Sequence, residues 1–193
     1  MSTEERLREV TIGEPTVHND RIRLTEYDPR WPAMFERERA RVVQALGDHA
    51  LRIEHVGSTS VPGLVAKPVI DIVLEVGDST NEPAYLPALE AAGYALHIRE
   101  PKWYEHRLLR RSDPAVNLHV FGARCPEVAR MLAFRDRLRS CDADRALYAD
   151  AKRTLAQQRW EYVQDYADAK STIVAAILAR VPASYRRSST QDG

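Results

Sequence analysis

The chain has 193 residues, 44% of them hydrophobic and 29% charged, which suits one domain able to bury a core without disulfide or metal staples. Its 28 basic and 28 acidic residues cancel to a formal net charge of zero, arguing against a nucleic-acid partner or a membrane surface gripped through bulk charge. No apolar run is long enough for a membrane span, MSTEERLREV carries no signal-peptide pattern, and Cys125 and Cys141 form no zinc ligand set, so the expectation is a reduced, cytoplasmic protein.

In chain order, residues 1–20 are polar, with turn signals at Gly13, Pro15 and Asn19-Asp20, and read as a flexible extension. Arg21 to Glu26 alternates as a short edge strand. Asp28 takes an N-cap position for a helix with Pro32 in its first turn. Its stripe of Trp31, Met34, Phe35, Val42, Val43 and Leu46 ends at Gly47. Leu51 to Val56 alternates as a strand. Val69 to Val76 is apolar on both faces except at Asp71 and Glu75, the pattern of a central strand covered on both sides.

A short helix over 83–92 stops at Gly93, and strands come next at Tyr94–Ile98, Tyr104–Arg110 and Val116–Phe121. Glu127 to Ser140 and then Ala143 to about Ala179 carry helical periodicity without a glycine. The organisation expected is an α/β core over 21–123, a helical region over 124–182 packed on it, and a disordered tail over 183–193.

The residues with chemical potential centre on the segment Glu54-His55-Val56-Gly57-Ser58-Thr59-Ser60 and on the stretch from Val61 to Asp71. A strand runs into a turn where Gly57 permits tight backbone, and Ser58, Thr59 and Ser60 set hydroxyls beside backbone N–H groups, a concavity suited to phosphate. Lys67 adds a point charge able to neutralise such a group. An ordinary strand-to-strand loop rich in turn formers has the same composition.

Asp71 lies mid-strand in V-I-D-I-V-L, where a buried carboxylate needs a cation, a metal or several donors; a capped structural aspartate is the plainer reading. Asn117, His119 and Phe121 share a strand face, so His119 is either a ligand or general base in a cleft or a hydrogen-bonded, half-buried histidine. Arg135 aligns with Arg139 on a helix and reaches a phosphate or lies on a solvated face. Lys170 comes after Tyr162 and Tyr166 at steps of four, placing it at the phosphate site or in a structural pair.

The segment H-V-G-S-T-S-V-P-G-L-V-A-K-P-V-I-D-I closely resembles the signature of the GrpB family, also labelled UPF0157. The resemblance extends to Asp28-Pro29-Arg30-Trp31-Pro32, to Asn117-Leu118-His119-Val120-Phe121, and to helical motifs at 134–139 and 166–170. It implies a polymerase-β-like nucleotidyltransferase fold: a mixed central sheet with a helical C-terminal part. It also implies a nucleoside triphosphate, a divalent metal (Mg²⁺ or Mn²⁺) and a small-molecule acceptor.

In that superfamily a Gly-Ser turn cradles phosphates, and two carboxylates on one strand hold two metal ions. Here Val56-Gly57-Ser58 and Asp71 fit, with residues 59–70 between them, but position 73 is valine. Glu75 lies roughly 13 Å along the strand from Asp71, too far to share an ion. Glu105 and His119, on other strands, are the replacements the resemblance offers for the metal shell or for catalysis. In some bacteria a GrpB-like domain is fused to dephospho-CoA kinase. The competing implication is therefore a catalytically degenerate nucleotide- or CoA-binding module that docks a partner enzyme.

Overall fold

The computed structural model describes residues 2–182; the tail expected over 183–193 lies outside them. The N-terminal segment, expected as a flexible extension, contains a helix. Helix α1, Thr3–Val10, starts at a capping box in which Ser2 Oγ accepts the Glu5 N–H at 3.2 Å and Glu5 Oε2 accepts the Ser2 N–H at 2.7 Å. Beyond it the Ile12 N–H donates to the His97 carbonyl at 2.8 Å. Strand β1 is only Asp20–Arg21.

Helix α2, Trp31–Leu46, buries Trp31, Phe35, Glu38, Val42 and Leu46 on one face, while Val43 is exposed. Arg30, not Asp28, occupies the N-cap position. The Asp28 carboxylate accepts the Arg30 N–H at 2.9 Å, closing the turn that leads into the helix.

Five strands form the central sheet: β2 Arg52–Val56, β3 Ile70–Val76, β4 Ala95–Glu100, β5 His106–Arg111 and β6 Val116–Gly122. Their order is β2-β3-β6-β5-β4, and only the β3–β6 pair is parallel. Helix α3, Leu86–Ala91, lies on the crossover between β3 and β4. Alternation splits β3 cleanly. Ile70, Ile72, Leu74 and Val76 pack with Leu118, Val120 and Leu109 against α2 and α3, forming the main core.

The opposite sheet face carries Asp71, Val73 and Glu75, with Val56, Asn117, His119, Phe121 and Arg110 in register beside them. Part of this face is apolar. Val56, Val73 and Phe121 are covered by Val128 and Leu132 of α4, Pro126–Ser140.

Helix α5, Asp142–Ala156, comes directly after α4. The continuous periodicity after Ala143 is interrupted at residues 157–162, where β7, Arg159–Trp160, pairs with β1. Trp160 Nε1 donates to the Leu155 carbonyl at 2.9 Å, anchoring the break, and Asp165 Oδ2 accepts the Tyr162 N–H at 3.1 Å to start α6, Val163–Ala169. Helix α7, Ser171–Ala179, completes the region. Leu138, Tyr148, Ala149 and Ile177 from these helices pack on Val61, Leu64 and Val65, clamping the loop that joins β2 to β3. Among the described residues no helix is long and apolar enough to cross a membrane.

Candidate functional site

Strand β2 delivers the chain to Gly57 opposite the start of β3, since Val56 is the register partner of Asp71. Gly57 has φ +67°, and a Cβ built on it would overlap the Asp71 carboxylate, so only glycine lets the turn lie on this side chain. Residues Ser58–Ser60 form one 3₁₀ turn. Two of its hydroxyls brace the loop itself: Thr59 Oγ1 donates to the Val69 carbonyl at 3.0 Å, and Ser60 Oγ to the Gly57 carbonyl at 2.6 Å. Both side chains are buried, and Ser60 also borders the cleft that Arg135 lines. Burial drives the pKa of Tyr148 on α5 up, and the Ser58 side chain opposes that rise.

The Asp71 side chain is 27% exposed. Asn117 Nδ2 donates to its Oδ1 at 2.9 Å, and His119 Nε2 lies 3.9 Å from the same oxygen. Burial pushes the Asp71 pKa up, but His119, Asn117 and Lys170 pull it down further, so the net shift keeps the carboxylate ionised.

Around this one anion the fold gathers cations. Lys67, Arg110, Lys152 and Lys170 all have pKa values lowered chiefly by burial, and in all four the Asp71 charge opposes the fall. Lys152 is buried, pushed down to about 7, and donates to the Val65 carbonyl at 2.5 Å. Lys170 Nζ stands 4.4 Å above the Tyr166 ring. Among the described residues none of these four cations has a carboxylate at ion-pair distance, and the buried Tyr166 hydroxyl has no hydrogen-bond partner.

His119 continues into a second line of contacts. Its Nδ1 lies 3.1 Å from His106 Nε2, with the rings stacked at 5.2 Å, and His106 Nδ1 lies 2.7 Å from Glu100 Oε2. His106 and Glu100 face each other across β5 and β4. Phe121 stacks on His106 at 4.7 Å and Trp103 meets it edge-on at 5.1 Å; burial drives the His106 pKa down to about 4.

The remaining expected site residues lie elsewhere. Glu105 sits in the turn before β5 with φ +50°, bonded to Arg107 at 3.3 Å. Five positions separate it from Arg110, the residue opposite Asn117, so the sheet does not bring Glu105 to Asp71. Arg135 spends its guanidinium on Glu54 at 2.8 Å, Asp136 at 2.7 Å and the His55 carbonyl at 3.1 Å. It lines a cleft of about 650 Å³ with Tyr27, Phe35, Ser60 and Arg139, which Asp71 does not line.

Val73 is fully buried in the apolar cluster beneath α4. Among the described residues no three histidine, cysteine or acidic side chains converge as a metal cage. The contributions of Asn117, Arg110, Lys152, Glu100 and His106 went unread in the sequence. Only Asn117 gave a signal there, through its shared face with His119.

A family model described as GrpB protein matches residues 21–180. A UPF0157 protein of Halalkalibacterium halodurans is 56% identical over 181 residues, covering 94% of this chain and 93% of that one. A dephospho-CoA kinase of Mycolicibacterium paratuberculosis is 32% identical over 164 residues, which cover 72% of this chain and 40% of the kinase. The crystal structure of GrpB from Enterococcus faecalis has the same fold, with a TM-score of 0.72 and 29% identity, covering 88% of this chain and 100% of that one.

Proposed function

The chain belongs to the GrpB family, and from that premise we propose that its Asp71 pocket binds a nucleoside triphosphate with a divalent metal and transfers the nucleotidyl group to a small-molecule acceptor. The observation that carries this reading is the charge count. Among the described residues Lys67, Arg110, Lys152 and Lys170 answer to the one Asp71 carboxylate, and the charge of Arg110 opposes that of Lys67, Lys67 that of Lys170 and Lys170 that of Lys152. A triphosphate supplies the missing negative charge. In this reading Lys67, Arg110 and Lys170 take the phosphate oxygens while the Gly57 turn lets backbone approach them.

The donor set suits one hard ion rather than two. Asp71 would hold such an ion through one carboxylate oxygen, and phosphates and water would complete its shell. Such an ion, when bound, would neutralise charge on the phosphoryl oxygens. His119 is the proton acceptor. The acceptor's hydroxyl gives its proton to Nε2 as the oxygen bonds to the α-phosphorus; the bridging P–O bond to the β-phosphate breaks and pyrophosphate leaves on the cations.

Asp71→Asn keeps the Asn117 contact and the fold but abolishes metal-dependent pyrophosphate release. Unchanged release in that variant overturns the reading. A second reading rests on Val73: with the second carboxylate position given to an apolar cluster, the pocket holds a nucleotide or CoA-like ligand without chemistry and docks a partner enzyme. The kinase relative favours that partner class. Release of pyrophosphate on incubation with any nucleoside triphosphate and a hydroxyl acceptor decides for the transferase.

A further inference from the structure

We propose that the cleft on the outer edge of β2 binds an organic anion, a carboxylate or phosphate carried on a flat ring, with Arg139 gripping the charge. Neither Asp71 nor Lys67, Arg110, Lys152 or Lys170 lines this cleft, so the proposal stands apart from the triphosphate reading.

The cleft owes its place to strand alternation. β2 is the outer strand of the sheet, and its successive residues face opposite ways. His55 turns toward α2, where its ring stacks on Phe35 at 4.8 Å. Glu54 turns toward α4, where it pairs with Arg135 at 2.8 Å. The two helices flank the strand edge from opposite faces, and the cleft of about 650 Å³ lies between them. Small-molecule sites commonly span roughly 300–1,000 Å³.

Depth sorts the charges. The side chains of Arg135, Arg139 and Arg145 are 11%, 40% and 25% exposed, whereas the acids Glu36 and Asp142 are 63% and 90% exposed. Water screens those two acids at the rim far more than it screens the arginines inside. Arg135 is answered by Glu54 and Asp136, and Arg145 by Asp142 at 2.7 Å and the Leu138 carbonyl at 3.0 Å. Arg139 differs. Its Nε donates to the Ser60 carbonyl at 2.9 Å, but its ion pair with Asp136 Oδ1 is 3.9 Å long, past hydrogen-bond reach, while Arg135 holds the same oxygen at 2.7 Å. The Nη1–Nη2 edge of the Arg139 guanidinium is left for a two-point grip on a carboxylate or phosphate. Around it Tyr27, Phe35 and His55 supply ring surface, and Pro32 and Pro62 supply stiff apolar walls. Such a lining favours a flat, largely apolar ligand body over a bare ion.

The test follows backbone amide NMR signals of the full chain, free of nucleotide, during titration with phenyl phosphate and with benzoate. Inorganic phosphate and acetate serve as bare anions, and benzyl alcohol as an uncharged ring. Saturable shifts at Phe35, Arg139 and Arg145 should appear with a ring anion, roughly tenfold or more tighter than with the bare anion or the uncharged ring. Whichever of the two ring anions binds more tightly tells phosphate from carboxylate. Arg139→Gln should weaken that binding roughly tenfold. Glu36→Lys, exposed on α2, adds a cation at the rim without touching the core and should tighten it about threefold. It keeps the question answerable if Arg139→Gln disturbs the Ser60 turn.

No saturable shift with either ring anion overturns the proposal. So do equal affinity for the bare anions, shifts centred on Lys67 and Lys170 in place of the cleft residues, or wild-type affinity in a folded Arg139→Gln or in Glu36→Lys.

Discussion

Gly57 couples backbone conformation to the pocket more directly than any other position, since its φ of +67° and its contact with Asp71 both exclude a side chain. Gly57→Ala should cost about 1–3 kcal/mol in urea denaturation, because a strained backbone and a displaced carboxylate act together. It should also weaken triphosphate binding.

Histidines make the clearest prediction of pH dependence. His55, stacked on Phe35 and held chiefly by burial at a pKa of about 4, and His106, also near 4, both lie below the ordinary value of 6.5. The unfolded chain binds more protons than the native one between those values. The histidine contribution is therefore complete above pH 6.5 and is lost as the pH falls toward 4, by up to about 1.4 kcal/mol per pH unit for each histidine. Glu82, held at about 2 chiefly by Arg99, adds a further loss only below its ordinary 4.5. A melting temperature that stays flat between pH 6.5 and 4.5 would contradict this account.

At the scale of elements, α7 matters because it closes the loop that carries Lys67. Ile177 is fully buried against Val61, Leu64, Leu138 and Tyr148. Ile177→Ala should destabilise by about 2–5 kcal/mol and, in chemical denaturation coupled to proteolysis, make residues 61–68 the first region cut.

The sheet was legible from the sequence because its strands carry recognisable patterns: the alternation of β2 and the double-sided apolar run of β3 stand in the structure within a residue or two. The breaks were less legible. Ser2 and Glu5 spell a capping box, a local signal that a polar composition obscured. The interruption between α5 and α6 comes from Trp160 pairing with β1 some 140 residues earlier, and no local pattern carries that information.

On the scale of the whole molecule, zero net charge conceals a local excess of cations coupled to Asp71. Gly57 and Asp71 were readable because they belong to one short motif. Arg110, Lys152, Glu100 and His106 were not, because sheet register and helix packing bring them in from three different elements, β4, β5 and α5. Glu105 was misplaced for the same reason: strand parity assigns a face, but only the register with β6 fixes how far along the sheet a residue sits.

Whether the surplus cations hold a triphosphate is decided by thermal melting of the wild type and Lys170→Met with ATP, GTP, CTP, UTP and inorganic tripolyphosphate, each with and without Mg²⁺ or Mn²⁺. A ligand at about a hundred times its dissociation constant adds about 2.7 kcal/mol, several degrees for a chain of this size. The account predicts a metal-enhanced rise for the wild type with at least one nucleotide, and a tenfold or greater weakening in Lys170→Met. No rise with any triphosphate, or an equal rise in the variant, would contradict it.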